Sequence, residues 1–461
     1  MKEDLLTMAE AAEALNTTRN TLYRWLREGR LSARKIGRQW RFERAELDRF
    51  LRGQAPHIDL LADPGPFLDQ LESLLAGPPP RTADPLLDAF NRMLKVALER
   101  QADSLHLGRC YTGQGPERQC WLRGRVDGEL QLLARLDNRL LAPLVEQWKR
   151  AAACDVRETS LPQDGRILVE TDRGLLDLRV SFLPSAQGET LTVKLQNRDQ
   201  SQPDLSTFGL RQVDLARLRQ ALRKRARLVI IAGDESRDSL LAACLGEVAG
   251  PNLKLMTIEN PAWLTLPWAT QVSLASVTGA NRSQASALRA LMRSDPDVIG
   301  LAALPDPEAF EAAQTAALRG ALVVAGMAGR DCRDVFSRLS VLAGSARALA
   351  QTVELILVQR LVRKLCPHCS QPQPLSEAEF ESLQARVDFS LPREFRRAVG
   401  CDRCQQSGYR GRVLLAESLP FTARVFEGEF EPSDLETQTL ALAAQGETSL
   451  DELERFLLVR A

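Results

Sequence analysis

Residues 228–244 read LVIIAGDESRDSLLAAC, and this stretch constrains the fold more than any other. An apolar β-like run leads into a turn opened by Gly233, and a helix-like segment follows. That is the layout of a phosphate-binding loop, in which a strand delivers the chain to a helix N-terminus. A unit of this kind belongs to an α/β core built on a parallel sheet. Its residues do not match that chemistry. A loop of the form GxxxxGK[ST] uses glycines to let backbone N–H groups approach phosphates, a lysine to bridge their oxygens and a hydroxyl to hold Mg²⁺. Residues 233–240 keep only Gly233; Asp238 replaces the second glycine, Ser239 the lysine and Leu240 the hydroxyl. Asp234, Glu235 and Asp238 place carboxylates where a triphosphate brings its own charge, with Arg237 offsetting one of them. Two like charges about 4 Å apart repel by roughly 4 kcal/mol even at an effective dielectric near 20.

The chain has 461 residues, enough for about three domains. Its 60 basic and 60 acidic residues cancel, so charge has to be read locally. From Thr17 to Phe42 eight basic residues stand against one acid, Glu28. Such a block is usually a solvated face, but inside a DNA-binding fold it is a phosphate-backbone footprint. The surrounding sequence supplies that fold. Thr7 caps a first short helix, Asn16 and Thr17 break it, and Thr18 to Glu28 form a second with Leu22, Trp25 and Leu26 on one face. Gly29 ends that helix as a left-handed cap, and 31–42 makes a small hairpin turning at Gly37. Two short helices joined by a tight turn, the second one basic, form a helix-turn-helix. Its second helix offers Thr18, Arg19, Asn20, Tyr23 and Arg24 to the major groove, and Lys35, Arg38 and Arg41 on the wing reach phosphates. The pattern TLYRWLREGRL with its IGRQWRF wing resembles the excisionase/MerR-type winged helix-turn-helix family. That resemblance covers 5–51, within a DNA-binding domain at 1–53, and implies DNA as a partner; protein contacts are the competing use of the same module.

Residues 54–84 are Pro-rich at both ends and read as a linker holding one amphipathic helix near 66–75. Beyond them several phrases resemble the type II secretion and type IV pilus assembly ATPase family. ADSLHL, RGRVDGEL, SLPQDGRI and DLRVSFLPSAQGET stand in family order within 85–200, an α/β N-domain. MTIENPAW, LRALMRSDPDVIGLAALPDPEAF and RGALVVAGMA follow within 201–365, a RecA-like parallel-sheet core with the altered loop. QRLVRKLCPHC and CDRCQQSGYRGR lead into and close a metal module at 366–411, and 412–461 is a helical C-terminal region. The resemblance implies a multidomain α/β chain, arginines at Arg125, Arg166 and Arg179 in family positions, and assembly as a hexameric ring.

The same resemblance locates three further sites in the core. Where the family has a Gly-Glu pair, this chain has Ala302 and Ala303; where it has two histidines, Ala321 and Ala328. Glu259 is kept while the next acid has become Asn260. Phosphoryl transfer relies on positioning and charge neutralisation, so these replacements lead to the expectation of a chain that is no enzyme, with ATP and Mg²⁺ binding not expected.

Nine cysteines include two CxxC pairs, Cys366/Cys369 and Cys401/Cys404, separated by 31 residues. In a reducing compartment that pattern favours a metal over disulfides, and four thiolates make a closed tetrahedral Zn²⁺ site. Cys110, Cys120, Cys154, Cys244 and Cys332 stand singly and read as buried. No apolar run approaches the roughly 20 residues of a membrane span, and the N-terminus lacks a signal pattern. A cytoplasmic protein is expected, recruited to the inner face of a membrane by a secretion or pilus platform. The functional expectation is a DNA-binding regulator on an inactive secretion-ATPase scaffold. That scaffold forms a homo-hexamer or joins a ring of active ATPases; the alternatives are a non-catalytic adaptor of the apparatus with the helix-turn-helix used for protein contacts, and last a working ATPase.

Overall fold

The computed structural model describes residues 5–458 apart from 28–30, 32, 37–38, 52–61, 111–118, 172–173, 198–203, 234–236, 260–265, 275–282, 345, 422–424 and 426–433. The chain divides into two units, Met1–Asp199 and Gln200–Ala461. In the first, strand β1 (Leu5–Thr7) is followed by helices α1 (Met8–Ala14) and α2 (Arg19–Arg27). Strands β2 (Arg34–Ile36) and β3 (Gln39–Glu43) and helix α3 (Arg44–Leu51) complete the module. The Thr7 hydroxyl accepts from the Glu10 N–H while the Glu10 carboxylate accepts from the Thr7 N–H at 2.7 Å, a reciprocal cap that starts α1. Asn16, at φ +47°, turns the chain between the helices, as a short polar side chain tolerates. The three strands pair in the order β1-β3-β2, with Ile36 opposite Gln39. Ala11, Leu22, Leu26, Leu31, Phe42 and Leu47 form a small core of their own.

Helix α4 (Gly65–Ser73) and helix α5 (Pro85–Glu99) precede a six-stranded antiparallel sheet. Its strands are β4 (Ser104–Cys110), β5 (Gln119–Val126), β6 (Glu129–Leu136), β7 (Gln163–Thr171), β8 (Gly174–Ser185) and β9 (Gly188–Asn197), in the order β6-β5-β4-β9-β8-β7. Helix α6 (Leu141–Ala151) lies between β6 and β7 in the chain. Strand alternation decides the faces. Leu176, Leu178, Val180 and Phe182 point into a core shared with Phe67, Leu71, Phe90, Met93 and Trp148 of the three helices. The helix expected inside the linker is therefore present, but it is not tether: Phe67 and Leu71 are 2% and 0% exposed. Arg92, fully buried on α5, holds the segment that follows, reaching Glu72 at 3.1 Å, Asp88 at 3.1 Å and the Pro79 carbonyl at 2.8 Å.

The second unit begins with helix α7 (Gln212–Leu222) and carries a seven-stranded sheet. Strands β10 (Arg227–Gly233), β11 (Leu255–Glu259), β12 (Ala269–Ser273), β13 (Val298–Leu301), β14 (Leu322–Met327) and β15 (Val353–Leu365) run parallel. A short pair, β16 (Gln371–Pro374) with β17 (Glu394–Arg397), stands apart, and β18 (Tyr409–Pro420) closes the large sheet antiparallel to β15. The order is β12-β11-β13-β14-β10-β15-β18. Helix α8 (Arg237–Val248) follows β10, as a strand–loop–helix unit requires. Leu228, Ile230 and Ala232 face one core layer while Val229 and Ile231 face the other, which is why the strand is apolar throughout. The last helix runs Leu450–Leu458, where the sequence places a terminal helix. Among the described residues no helix is long and apolar enough to cross a membrane.

Candidate functional site

The residues singled out in the sequence lie in three places. On α2, Arg19, Asn20, Tyr23 and Arg24 are all exposed, and Leu22 and Leu26 on the opposite face are 0% and 3% exposed. The 3.6-residue period thus separates an exposed face from the core. Thr18 acts locally, its hydroxyl accepting from the Thr21 N–H at 3.2 Å in the geometry of a helix cap. Arg41 on β3 donates to Gln39 Oε1 at 2.8 Å and to the Trp40 carbonyl at 3.3 Å, which fixes its guanidinium along the wing. Arg38, Asp234, Glu235, Asn260 and the side chain of Lys35 lie outside the described residues.

The residues of the altered phosphate loop and most of its companion sites gather at the carboxyl ends of the parallel strands, but Ala321 does not: it is buried just before β14, at the amino end of that strand. Gly233 ends β10, Glu259 ends β11, Ala302 and Ala303 follow β13, and Ala328 follows β14. Ligands of open parallel sheets bind at such an edge. Gly233 has φ +133°, and a Cβ there would stand 2.2 Å from the Gln359 carbonyl of β15, so no other residue fits. Glu259 accepts from Thr257 Oγ1 at 2.6 Å and from Gln271 Nε2 at 2.8 Å. The Ala303 carbonyl accepts from Gln284, and Ala328 is exposed. Leu240 is fully buried in the core, Ser239 is half-buried, and Arg237 pairs with Asp238 at 2.8 Å.

Cys366, Cys369, Cys401 and Cys404 have their sulfurs within 4.8 Å of one another. Cys366–Cys401 is 4.0 Å, and both Cys369–Cys404 and Cys401–Cys404 are 3.7 Å. A tetrahedron of thiolates with metal–sulfur bonds of about 2.3 Å has edges of about 3.8 Å, so the four thiols fit a metal ion. Burial opposes a charge on Cys404, but N–H groups of Cys401 and Gly408 and the neighbouring thiols outweigh it and bring its pKa down to about 7. His368, between two of these cysteines in sequence, is exposed beside Arg403. Cys120, Cys154, Cys244 and Cys332 are buried, as single cysteines lead one to expect; the side chain of Cys110 lies outside the described residues.

Sequence reasoning named Arg125, Arg166 and Arg179 but missed that they share a row with Lys194 on the sheet face away from the helices of the first unit. Strand register aligns Arg125, Ser104, Lys194, Arg179 and Arg166 across five strands. Arg166 is bidentate to Asp177, at 2.8 and 2.5 Å, and Arg125 donates to the Gly128 carbonyl at 2.7 Å. Pairing register, which no single strand reveals, was the signal needed.

The sequence pattern of the family "Type II/IV secretion system protein" matches residues 81–454, and that of a helix-turn-helix domain matches 5–55. Type II secretion system protein E of Klebsiella pneumoniae is 30% identical over 416 residues, 86% of this chain and 80% of that protein. The type IV pilus assembly ATPase PilB of Myxococcus xanthus is 29% identical over 392 residues, 82% of this chain and 67% of that protein. Among solved structures, the Legionella pneumophila ATPase DotB superposes with a TM-score of 0.54 at 19% identity, covering 83% of this chain and 98% of that one. These likenesses correct the expectation of a chain that is no enzyme. The sequence relative PilB and the fold neighbour DotB are named as ATPases. The replacements at Asp238, Ser239 and Leu240 stand as differences of sequence and do not by themselves establish inactivity.

Proposed function

The chain belongs to the type II/IV secretion system protein family, and from that premise we propose that it is a DNA-binding member which couples a secretion or pilus system to DNA. The observation that carries this reading is the exposed face of α2. Arg19, Asn20, Tyr23 and Arg24 are all exposed on it, over the small core of the module. Asn and Arg are the side chains that read adenine and guanine edges in the major groove, and Arg41 on the wing suits a phosphate contact. The family body supplies assembly: a hexameric ring of this chain, or one shared with related ATPases, arrays several DNA modules and raises their effective affinity by linkage. Zinc in the four-cysteine cluster is structural, since all four tetrahedral positions are taken by protein thiolates.

The test is binding of full-length protein to its own upstream DNA, followed by fluorescence anisotropy across a salt series. Affinity falls steeply with salt, and an Arg24→Ala/Arg41→Ala double variant loses at least tenfold. Equal binding by wild type and variant sinks the proposal and leaves the helix-turn-helix as a protein contact in an adaptor.

A further inference from the structure

The crevice at the carboxyl ends of β13 and β14 holds a side chain that the DNA reading does not use. Nε of Arg237 lies 3.2 Å from the point where a Cβ would stand on Gly326, and the Ala302 carbonyl is 2.3 Å from the same point. The guanidinium therefore rests over the ends of both strands, in room left by a glycine. From there Nε and Nη2 both donate to Asp238 Oδ1, at 3.0 and 2.8 Å, and the two side chains are 21% and 25% exposed. The family's lysine position carries Ser239, so Arg237 is the cation nearest to it in the loop, and it arrives from two residues earlier.

A guanidinium fork binds carboxylate and phosphate in the same way, so the two compete for it. We infer that Arg237 is the phosphate-binding cation of this loop, latched by Asp238 until the polyphosphate of a nucleotide takes the carboxylate's place. Asp238 then acts as an internal competitor: it holds the fork in the crevice in the absence of ligand and weakens binding by the strength of its own pair. This rests on the family reading of the body and is independent of the DNA proposal, whose failure leaves it standing.

The experiment is calorimetric titration of the full chain with Mg-ATP and, separately, with inorganic pyrophosphate. Asp238→Gly and the isosteric Asp238→Asn both bind each ligand at least tenfold tighter than wild type. The gain disappears when Arg237→Gln is added to either. Asp238→Asn keeps the shape of the loop, and matched thermal melts show that both variants are folded. Affinities within twofold of wild type overturn the proposal. So does a gain that survives Arg237→Gln, which would make Asp238 a mere source of repulsion, and so does a gain confined to ATP, because the fork reads the phosphate chain.

Discussion

Arg24 and Leu22 are two positions apart on α2 and lie on opposite sides of it, one exposed and one fully buried. Arg24→Ala is therefore expected to leave the melting temperature unchanged and to cost about 1–3 kcal/mol of DNA affinity if the side chain reads a base. Gly233 gives the opposite pattern. At φ +133°, with the Gln359 carbonyl 2.2 Å from any added Cβ, Gly233→Ala should destabilise the second unit by at least about 2 kcal/mol, read by denaturant titration. On β4, burial and then the charges of Arg125, Arg123 and Lys194 hold the pKa of His106 below its ordinary value of 6.5. The unfolded chain takes up that proton first. Stability is thus full above about pH 6.5, falls as pH drops through that value, and levels off below the folded pKa. His106→Gln should flatten the melting temperature between pH 7.5 and 5.5. The exposed face of α2 was legible because a helical period alone separates its residues. The resting place of Arg237 was not, because the glycine beneath it belongs to a strand 89 residues further along the chain.

Helix α4 shows what an element owes to its neighbours. Its flanking prolines read as linker, and its apolar stripe was visible in sequence, but the partners for that stripe lie on α5 and the sheet. Phe67→Ala should cost about 3–5 kcal/mol and Leu71→Ala about 2–5 kcal/mol, measured by denaturant titration. A tether would show no change. The clustering of the four cysteines was legible, since CxxC spacing fixes a pair of thiols on one turn. What spacing omits is the support: N–H groups of Cys401 and Gly408 both donate to Cys404 Sγ at 3.2 Å. Chelation of the metal, or Cys404→Ser, should unfold β16 and β17 and release one zinc per chain, followed by a colorimetric zinc indicator together with circular dichroism.

For the whole molecule, the net charge of zero excludes a general attraction to DNA. Binding must come from a local face, and its salt dependence counts the phosphates touched. If Arg41 contacts a phosphate, Arg41→Ala should reduce the slope of log affinity against log salt by about one, while the sequence preference stays as it was. The fold class was open to sequence reading because strands and boxes keep their order over hundreds of residues. Their enzymatic character was misjudged by weighing lost side chains alone. One strand behaves as a gauge rod. β15 crosses the large sheet, touches the glycine of the loop through Gln359, and ends one residue before Cys366. An extended strand rises about 3.3 Å per residue and hardly stretches, so roughly 23 Å of inextensible backbone joins the two places. The Gln359 carbonyl and the cysteine cluster are therefore held a fixed distance apart along one strand, as two marks on a ruler.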